Sequence, residues 1–281
     1  MERLLALDGA SPRSRQVTAA GTGLHVLEEG TGQPLLLLHG GGGGGANWYR
    51  LFPRLSASTR LLAPDLPGFG LSPDLPAESP LGLQAARLLA GLLDALGLAR
   101  VSVLGTSFGG LAALRLAQHF PGRVARLVLL DTAGLARAVP WAVRIASRPA
   151  FAPLAARAGE RGSRWLLRRL LTSTRLPPEH ERALVAWLTA VARAHAPPPL
   201  AAFAGWRGQQ EVLTGRELRA LAVPVLLLWG ERDRLFSLAQ ARGAARHLAD
   251  GWLHVVAGAG HSPNWEKPAE VAEQVGRFLA H

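Results

Sequence analysis

The chain has no cysteine, a single lysine (Lys267), and no apolar run approaching the roughly 18 residues that a bilayer span requires. Without cysteine, neither disulfides nor thiolate metal sites can hold the fold together, which suits a reducing compartment. The first twenty residues carry one short apolar run, Leu4 to Leu7, broken at Asp8, and a secretory signal needs a longer one. The expected location is the cytoplasm, with no stable membrane insertion. With lysine nearly absent, the net charge of +11 is an arginine charge. A basic chain raises the prospect of nucleic-acid binding. No nucleic-acid motif and no basic stretch interleaved with aromatics accompanies it, however. A chain rich in Ala, Leu, Gly, Pro and Arg reads more simply as compositional bias. The charge is uneven: residues 136–216 hold thirteen Arg against four Glu, a balance of +9.

Hydrophobic residues make up 48% of the 281, enough to bury a large core. Gln16 to Ala20 and Leu24 to Glu28 read as short strands around the turn Gly21-Thr22-Gly23. Pro34 to Leu38 is a continuous apolar run, as expected of a strand covered on both faces. Further strands are expected at Leu61 to Ala63, Val101 to Leu104, Leu127 to Leu130, Val225 to Trp229 and Leu253 to Val256. Helices are expected at Asn47 to Leu55, Leu81 to Leu96, Phe108 to His119, Ser237 to Leu248 and Pro268 to Ala280. Alternating strands and helices imply a mostly parallel sheet with helices on both faces. The alternation lapses between about Leu135 and Arg219, a stretch with no clear strand. Helical patterns occur there at Trp141 to Ser147, Arg161 to Leu171 and Glu179 to Ala194, separated by prolines. This is expected to be a helical cap, residues 136–216, inserted into a core domain made of 1–135 and 217–281.

The segment Gly105-Thr106-Ser107-Phe108-Gly109 is G-x-S-x-G between an apolar strand and an amphipathic helix. Small residues two before and two after the serine permit a tight turn that lifts the hydroxyl to the helix N-terminus. There the dipole and free N–H groups favour developing negative charge. A serine hydroxyl needs a base. Among nine histidines, His119 and His247 sit on helices, and His254 lies within a strand. His25, His180, His195 and His281 read as surface or terminal positions, and His39 reads as structural. His261, in Gly260-His261-Ser262-Pro263, lies in the loop after the last strand, where sites form in parallel sheets. The acid that holds its tautomer is expected at Asp233, just past a strand, with Asp131 and Glu231 as rivals. The chain order Ser107, Asp233, His261 suits this fold. Oxyanion donors are expected from the N–H of Phe108 and from the glycine run 40–45, with Gly41 favoured. That run lacks the Lys-Ser/Thr ending of a phosphate-binding loop. Trp48, Trp141, Phe236 and Ser262 are candidate substrate contacts. No metal or cofactor is expected.

Taken together, Leu38-His39-Gly40-Gly41, Pro64-Asp65-Leu66-Pro67-Gly68-Phe69-Gly70, Gly105 to Gly110, Trp229 to Asp233 and Gly260-His261 make the sequence resemble the α/β-hydrolase superfamily. The resemblance implies an eight-stranded, mostly parallel sheet with the cap inserted after the sixth strand. It also implies hydrolysis through an acyl-enzyme. Two groups are most similar: small esterases and lipases, and the carbon–carbon bond hydrolases of aromatic ring-fission products. The second is suggested by the glycine run with Trp48 and by the ending His261-Ser262-Pro263-Asn264-Trp265-Glu266. The chain departs from that second group at Gly43, Thr106 and Ser262. The leading expectation is therefore cleavage of a small-molecule carboxylic ester. The alternatives are carbon–carbon or amide hydrolysis, or a ligand-binding protein on a hydrolase scaffold. No nucleic-acid partner is expected, and the oligomeric state is open.

Overall fold

The computed structural model describes residues 1–76, 80–146, 159–195, 204–205 and 207–280. Its main sheet has eight strands: β1 (Arg13–Ala19), β2 (Thr22–Glu29), β3 (Gln33–Leu38), β4 (Thr59–Pro64), β5 (Val101–Thr106), β6 (Val124–Leu130), β9 (Val225–Gly230) and β10 (Gly251–Val256). The spatial order is β1-β2-β4-β3-β5-β6-β9-β10. Only β2 runs against its neighbours; the six strands from β4 to β10 are parallel. Between β6 and β9 a two-residue ladder pairs β7 (Ala204–Gly205) with β8 (Gly208–Gln209).

The continuous apolar runs make sense in this sheet. Side chains alternate across a strand, so in β3 Leu36 and Leu38 enter one core cluster while Leu35 and Leu37 enter the other. β6 divides likewise, with Leu127 and Leu129 on one face and Val128 and Leu130 on the other. Helices Leu81–Ala95 and Phe108–His119 pack against the first face. Tyr49, Phe52 and helix Pro268–Ala280 cover the second.

Several local expectations shift. The first hairpin turns at Ala20-Gly21, both with positive φ (47° and 82°), so Thr22 and Gly23 belong to β2. A two-residue turn with both residues left-handed matches strand twist best. The helix expected over Asn47 to Leu55 is two pieces, a 3₁₀ turn Gly45–Trp48 and a short α-helix Phe52–Leu55. Pro53 has no N–H, and its ring would clash with the carbonyl of residue 49, so one continuous helix cannot form. Within the inserted segment, helix Gly159–Leu166 widens into a π-turn over Leu167–Leu171. It is closed by Thr172, whose N–H and Oγ both donate to the Leu167 carbonyl (2.8 and 3.0 Å). The β7–β8 ladder corrects the reading that this segment holds no strand. Ser147, the expected end of the helix from Trp141, and His281 lie outside the described residues.

The segment's ends are stitched together. Buried Gln209 accepts from Gly134 N (2.8 Å) and donates to the Ala136 carbonyl, while its own N–H donates to the Arg137 carbonyl (2.9 Å). Asn47 joins the segment to the sheet domain: its Oδ1 accepts from Trp187 Nε1 (3.1 Å) and its carbonyl from Trp265 Nε1 (2.8 Å). No helix among the described residues is long and apolar enough to cross a membrane.

Candidate active site

Ser107 stands between β5 and helix Phe108–His119 with φ 51° and ψ −121°, a backbone conformation that non-glycine residues rarely hold. Its neighbours explain how the turn is possible. A Cβ on Gly105 would meet the Gly109 carbonyl oxygen at 2.5 Å, and one on Gly109 would collide with the Leu38 carbonyl oxygen. The turn is pinned from the adjoining strand, where Ser107 N donates to the Leu130 carbonyl (3.2 Å) and the Ser107 carbonyl accepts from Ala133 N (3.0 Å). Ser107 itself is half-buried and reachable.

His261 follows β10, and its Nδ1 meets Asp233 Oδ2 at 2.9 Å. The Asp233 side chain is fully buried, and its other oxygen accepts from the N–H groups of Leu235 (2.7 Å) and Phe236 (3.1 Å). Three donors therefore hold one carboxylate in place, and the hydrogen bond to Nδ1 leaves Nε2 as the basic nitrogen. Phe236 sets its ring edge-on to the imidazole, centroids 5.3 Å apart. Ser107 Oγ makes no hydrogen bond to His261 in this structure; such contacts tighten when substrate binds. Of the two rivals to Asp233, Glu231 turns away and accepts from Gly258 N (2.9 Å). Asp131 lies beside the pair: one ligand atom each from Asp131, Asp233 and His261 fall within 4.8 Å of one another. That spacing would also admit a cation, but His261 and Asp233 already satisfy each other.

The glycine run reaches Ser107 from β3. A Cβ on Gly40 would sit 2.9 Å from Ser107 Cβ, whereas one on Gly41 would meet open space. His39 aims this loop. Its Nδ1 donates to the Gly40 carbonyl (2.7 Å) and its Nε2 accepts from Leu66 N (2.9 Å), so the ring must be neutral. Burial pushes its pKa down, in keeping with that role. In a trans peptide the carbonyl and the following N–H point in opposite directions. Tying the Gly40 carbonyl to His39 therefore turns the Gly41 N–H the other way. Nothing in the sequence beyond the His-Gly pair signals this device.

The four candidate substrate contacts do not come together. Trp48 is wholly buried in the core with Tyr49 and Phe52. Phe236 (3% exposed) packs against His261, and Ser262 is buried at the start of helix Pro263–Glu266. Trp141, at the start of helix Trp141–Ala146, is 74% exposed. Two histidines read as surface positions are buried instead. His25 bridges Ser14 Oγ and Asp65 Oδ2, each at 2.8 Å, and His180 meets Tyr49 OH at 2.9 Å. A third, His195, is half-buried between Asp74 Oδ1 and the Gly70 carbonyl. The Ser14-His25-Asp65 chain copies a triad's connectivity. Ser14 sits near the start of the edge strand β1, however, without the helix N-terminus that would receive an oxyanion.

Arginines gather in a hollow bordered by Thr172 and Ser173. Arg161, Arg164, Arg168, Arg169, Arg175 and Arg234 line a hollow of about 770 Å³ whose one carboxylate among the described residues is Glu181. Ser107 and His261 are not among its lining residues.

A model of the α/β-hydrolase fold matches residues 33–268. The 2-hydroxymuconate semialdehyde hydrolase of Pseudomonas sp. (strain CF600) is 33% identical over 278 residues, covering 95% of this chain and 93% of its own length. Among solved structures, the carboxylesterase CesB (YbfK) of Bacillus subtilis is 26% identical with a TM-score of 0.82, covering 99% of this chain and 95% of its own. Naproxen esterase, also from Bacillus subtilis, is 25% identical with a TM-score of 0.83 over the same shares.

Proposed function

This chain belongs to the α/β-hydrolase fold family, and on that premise we propose that it is a serine hydrolase of a small or medium carboxylic ester, acting through an acyl-enzyme. The observation that carries the reading is the hydrogen bond between the buried side chains of Asp233 and His261, on loops that follow β9 and β10, combined with the strained backbone at Ser107. Ser107 Oγ attacks the acyl carbon while His261 Nε2 takes its proton. The oxyanion forms against the N–H of Phe108 and of Gly41, the donors whose placement costs no reorganisation during reaction. His261 returns the proton to the leaving alkoxide, and water repeats the cycle on the acyl-enzyme. Asp233, unprotonated throughout, stabilises the imidazolium in both halves. Residues 136–216 form the cap in this reading, tied to the core through Gln209, Asn47 and Trp187.

A second reading, carbon–carbon hydrolysis of a ring-fission product, is favoured by the similarity to the semialdehyde hydrolase. It uses the same nucleophile and oxyanion donors but must also deliver a proton to carbon. Paired assays separate the two. p-Nitrophenyl acetate and butyrate should turn over, lose turnover with Ser107→Ala, and be indifferent to EDTA. If those esters are inert and a 2-hydroxy-6-oxo-dienoate is consumed, the ester reading is wrong. If neither turns over but a ligand binds equally to wild type and Ser107→Ala, the scaffold is a receptor.

A further inference from the structure

Asp131 lies immediately after β6, between the strand that leads to Ser107 and the strand that leads to Asp233. Its backbone is left-handed (φ 42°), a conformation shared by only two other non-glycine residues, Ala20 and Ser107, among those described. Its N–H donates to the Leu228 carbonyl (3.0 Å) and its Oδ1 accepts from Gly230 N (2.9 Å). Both contacts are on β9, so the residue is strained into place against the strand that ends beside Asp233. The side chain is wholly buried, and no N–H or side-chain donor from the described residues reaches Oδ2. What does lie within reach is the carboxyl of Asp233 and the ring of His261.

Two ionised carboxylates cannot share so dry a place, because each would lose its water and gain a like charge. The other charged group that bears on Asp131 is Glu266, also an acid. Its oxygens are taken by the N–H groups of Gly260, Ser173 and Thr174 and by the Thr174 hydroxyl. No Lys or Arg among the described residues forms an ion pair with Asp131 or Asp233, so a proton must offset the charge.

We infer that Asp131 and Asp233 hold one proton between them, carried by Asp131 and donated as an O–H bond to Asp233, which makes Asp131 a positioning residue of the triad. Burial first, then the negative charge of Asp233 and the hydrogen bond to it, hold the Asp131 carboxyl well above the usual carboxylate range. The bond gives Asp233 a fourth donor after His261, Leu235 N and Phe236 N. It also draws some of its charge away from the imidazole. The inference rests on Asp233 being the triad acid, yet it can be tested without turnover.

Asp131→Asn is the isostere of a protonated aspartate: its amide can donate to Asp233 while its oxygen still accepts from Gly230 N. The infrared difference spectrum of wild type minus Asp131→Asn, in D₂O at neutral pH, should show loss of the C=O stretch of a protonated carboxylic acid. Loss of carboxylate bands instead would mean that Asp131 is ionised and would overturn the inference. Where the ester assay works, kcat for Asp131→Asn should stay within about threefold of wild type. The acid limb of its kcat/KM profile should stay within about half a pH unit. A larger downward movement would show that a negative charge had been removed from beside His261, again overturning the inference. Asp131→Leu, which cannot donate, should move the acid limb upward. If that variant does not fold, the infrared spectrum of Asp131→Asn still decides.

Discussion

At the carboxyl edge of the sheet, charged groups are few, buried and wired to their neighbours; between β6 and β9 they are many, exposed and thinly partnered. Asp233 has no exposed side-chain surface and accepts from three groups, and Asp131 and His261 are buried beside it. Arg168, by contrast, makes two hydrogen bonds to Glu181 while its side chain stays 51% exposed. Arg161, one turn before Trp165 in the same helix, is exposed and is in no ion pair among the described residues. The difference has a physical cause. A buried carboxylate without donors is so costly that its surroundings must be specified atom by atom. An exposed guanidinium is already satisfied by solvent and gains little from a pair. Roles can therefore be read from geometry at the sheet edge, while the arginines must be interrogated by experiment.

The largest effect is expected at the sheet edge. Ser107→Ala or His261→Ala should lower kcat by about 10⁴ to 10⁶, and Asp233→Asn somewhat less, with the fold intact by circular dichroism. Should Asp131→Asn prove more damaging than Asp233→Asn, the acid has been assigned to the wrong residue.

His39→Leu should come next. Without the bond from Nδ1 the Gly40–Gly41 peptide is free to turn, and losing one oxyanion donor costs about 10² to 10³ in kcat. KM should change little, since the donor acts on the transition state. A rise in KM of that size with kcat preserved would mean that the loop binds substrate instead.

Asp131 also predicts a trend in stability. Its pKa is raised by burial and by Asp233, so the folded state keeps a proton that the unfolded chain releases above about pH 4. Its contribution is thus fully present below that pH and is lost as pH rises toward the folded-state value. Thermal melts should show Asp131→Asn gaining on wild type with increasing pH from about 4 upward. A constant offset would argue that Asp131 titrates in the folded protein as it does in the unfolded chain.

The smallest effect concerns the arginines. If those around the 770 Å³ hollow steer anionic substrates, kcat/KM for an anionic ester should fall as ionic strength rises from about 0.01 to 0.3 M, where the Debye length shrinks from about 30 Å to well under 10 Å. A neutral ester of equal size should respond little. Equal responses would leave these arginines as solvated surface.

Much of this was legible in the residue order. Ser107 and Asp233 each follow an apolar run covered on both faces, β5 and β9, whereas His261 follows the half-exposed edge strand β10, and the small residues around Ser107 announce the turn. The burial of His25 was not legible, because it depends on β2 lying between β1 and β4 rather than at an edge. Nor were the substrate contacts: Trp48 and Trp141 look alike as isolated aromatics, yet one is sealed in the core and the other is 74% exposed.

By itself, the sequence determined the strand and helix alternation and the tight turn at Ser107, and it proposed Ser107, Asp233 and His261 as a triad. These follow from local periodicity and from steric demands on neighbouring residues. Only the tertiary structure decided that Asp131 stands against Asp233, that His39 turns the Gly40–Gly41 peptide, and that the arginines line a hollow whose walls do not include Ser107. The third depends on how a helix and its π-turn pack, and the first two on which strands lie side by side. That order is set by packing two apolar faces over the whole chain, and no short stretch of sequence contains it.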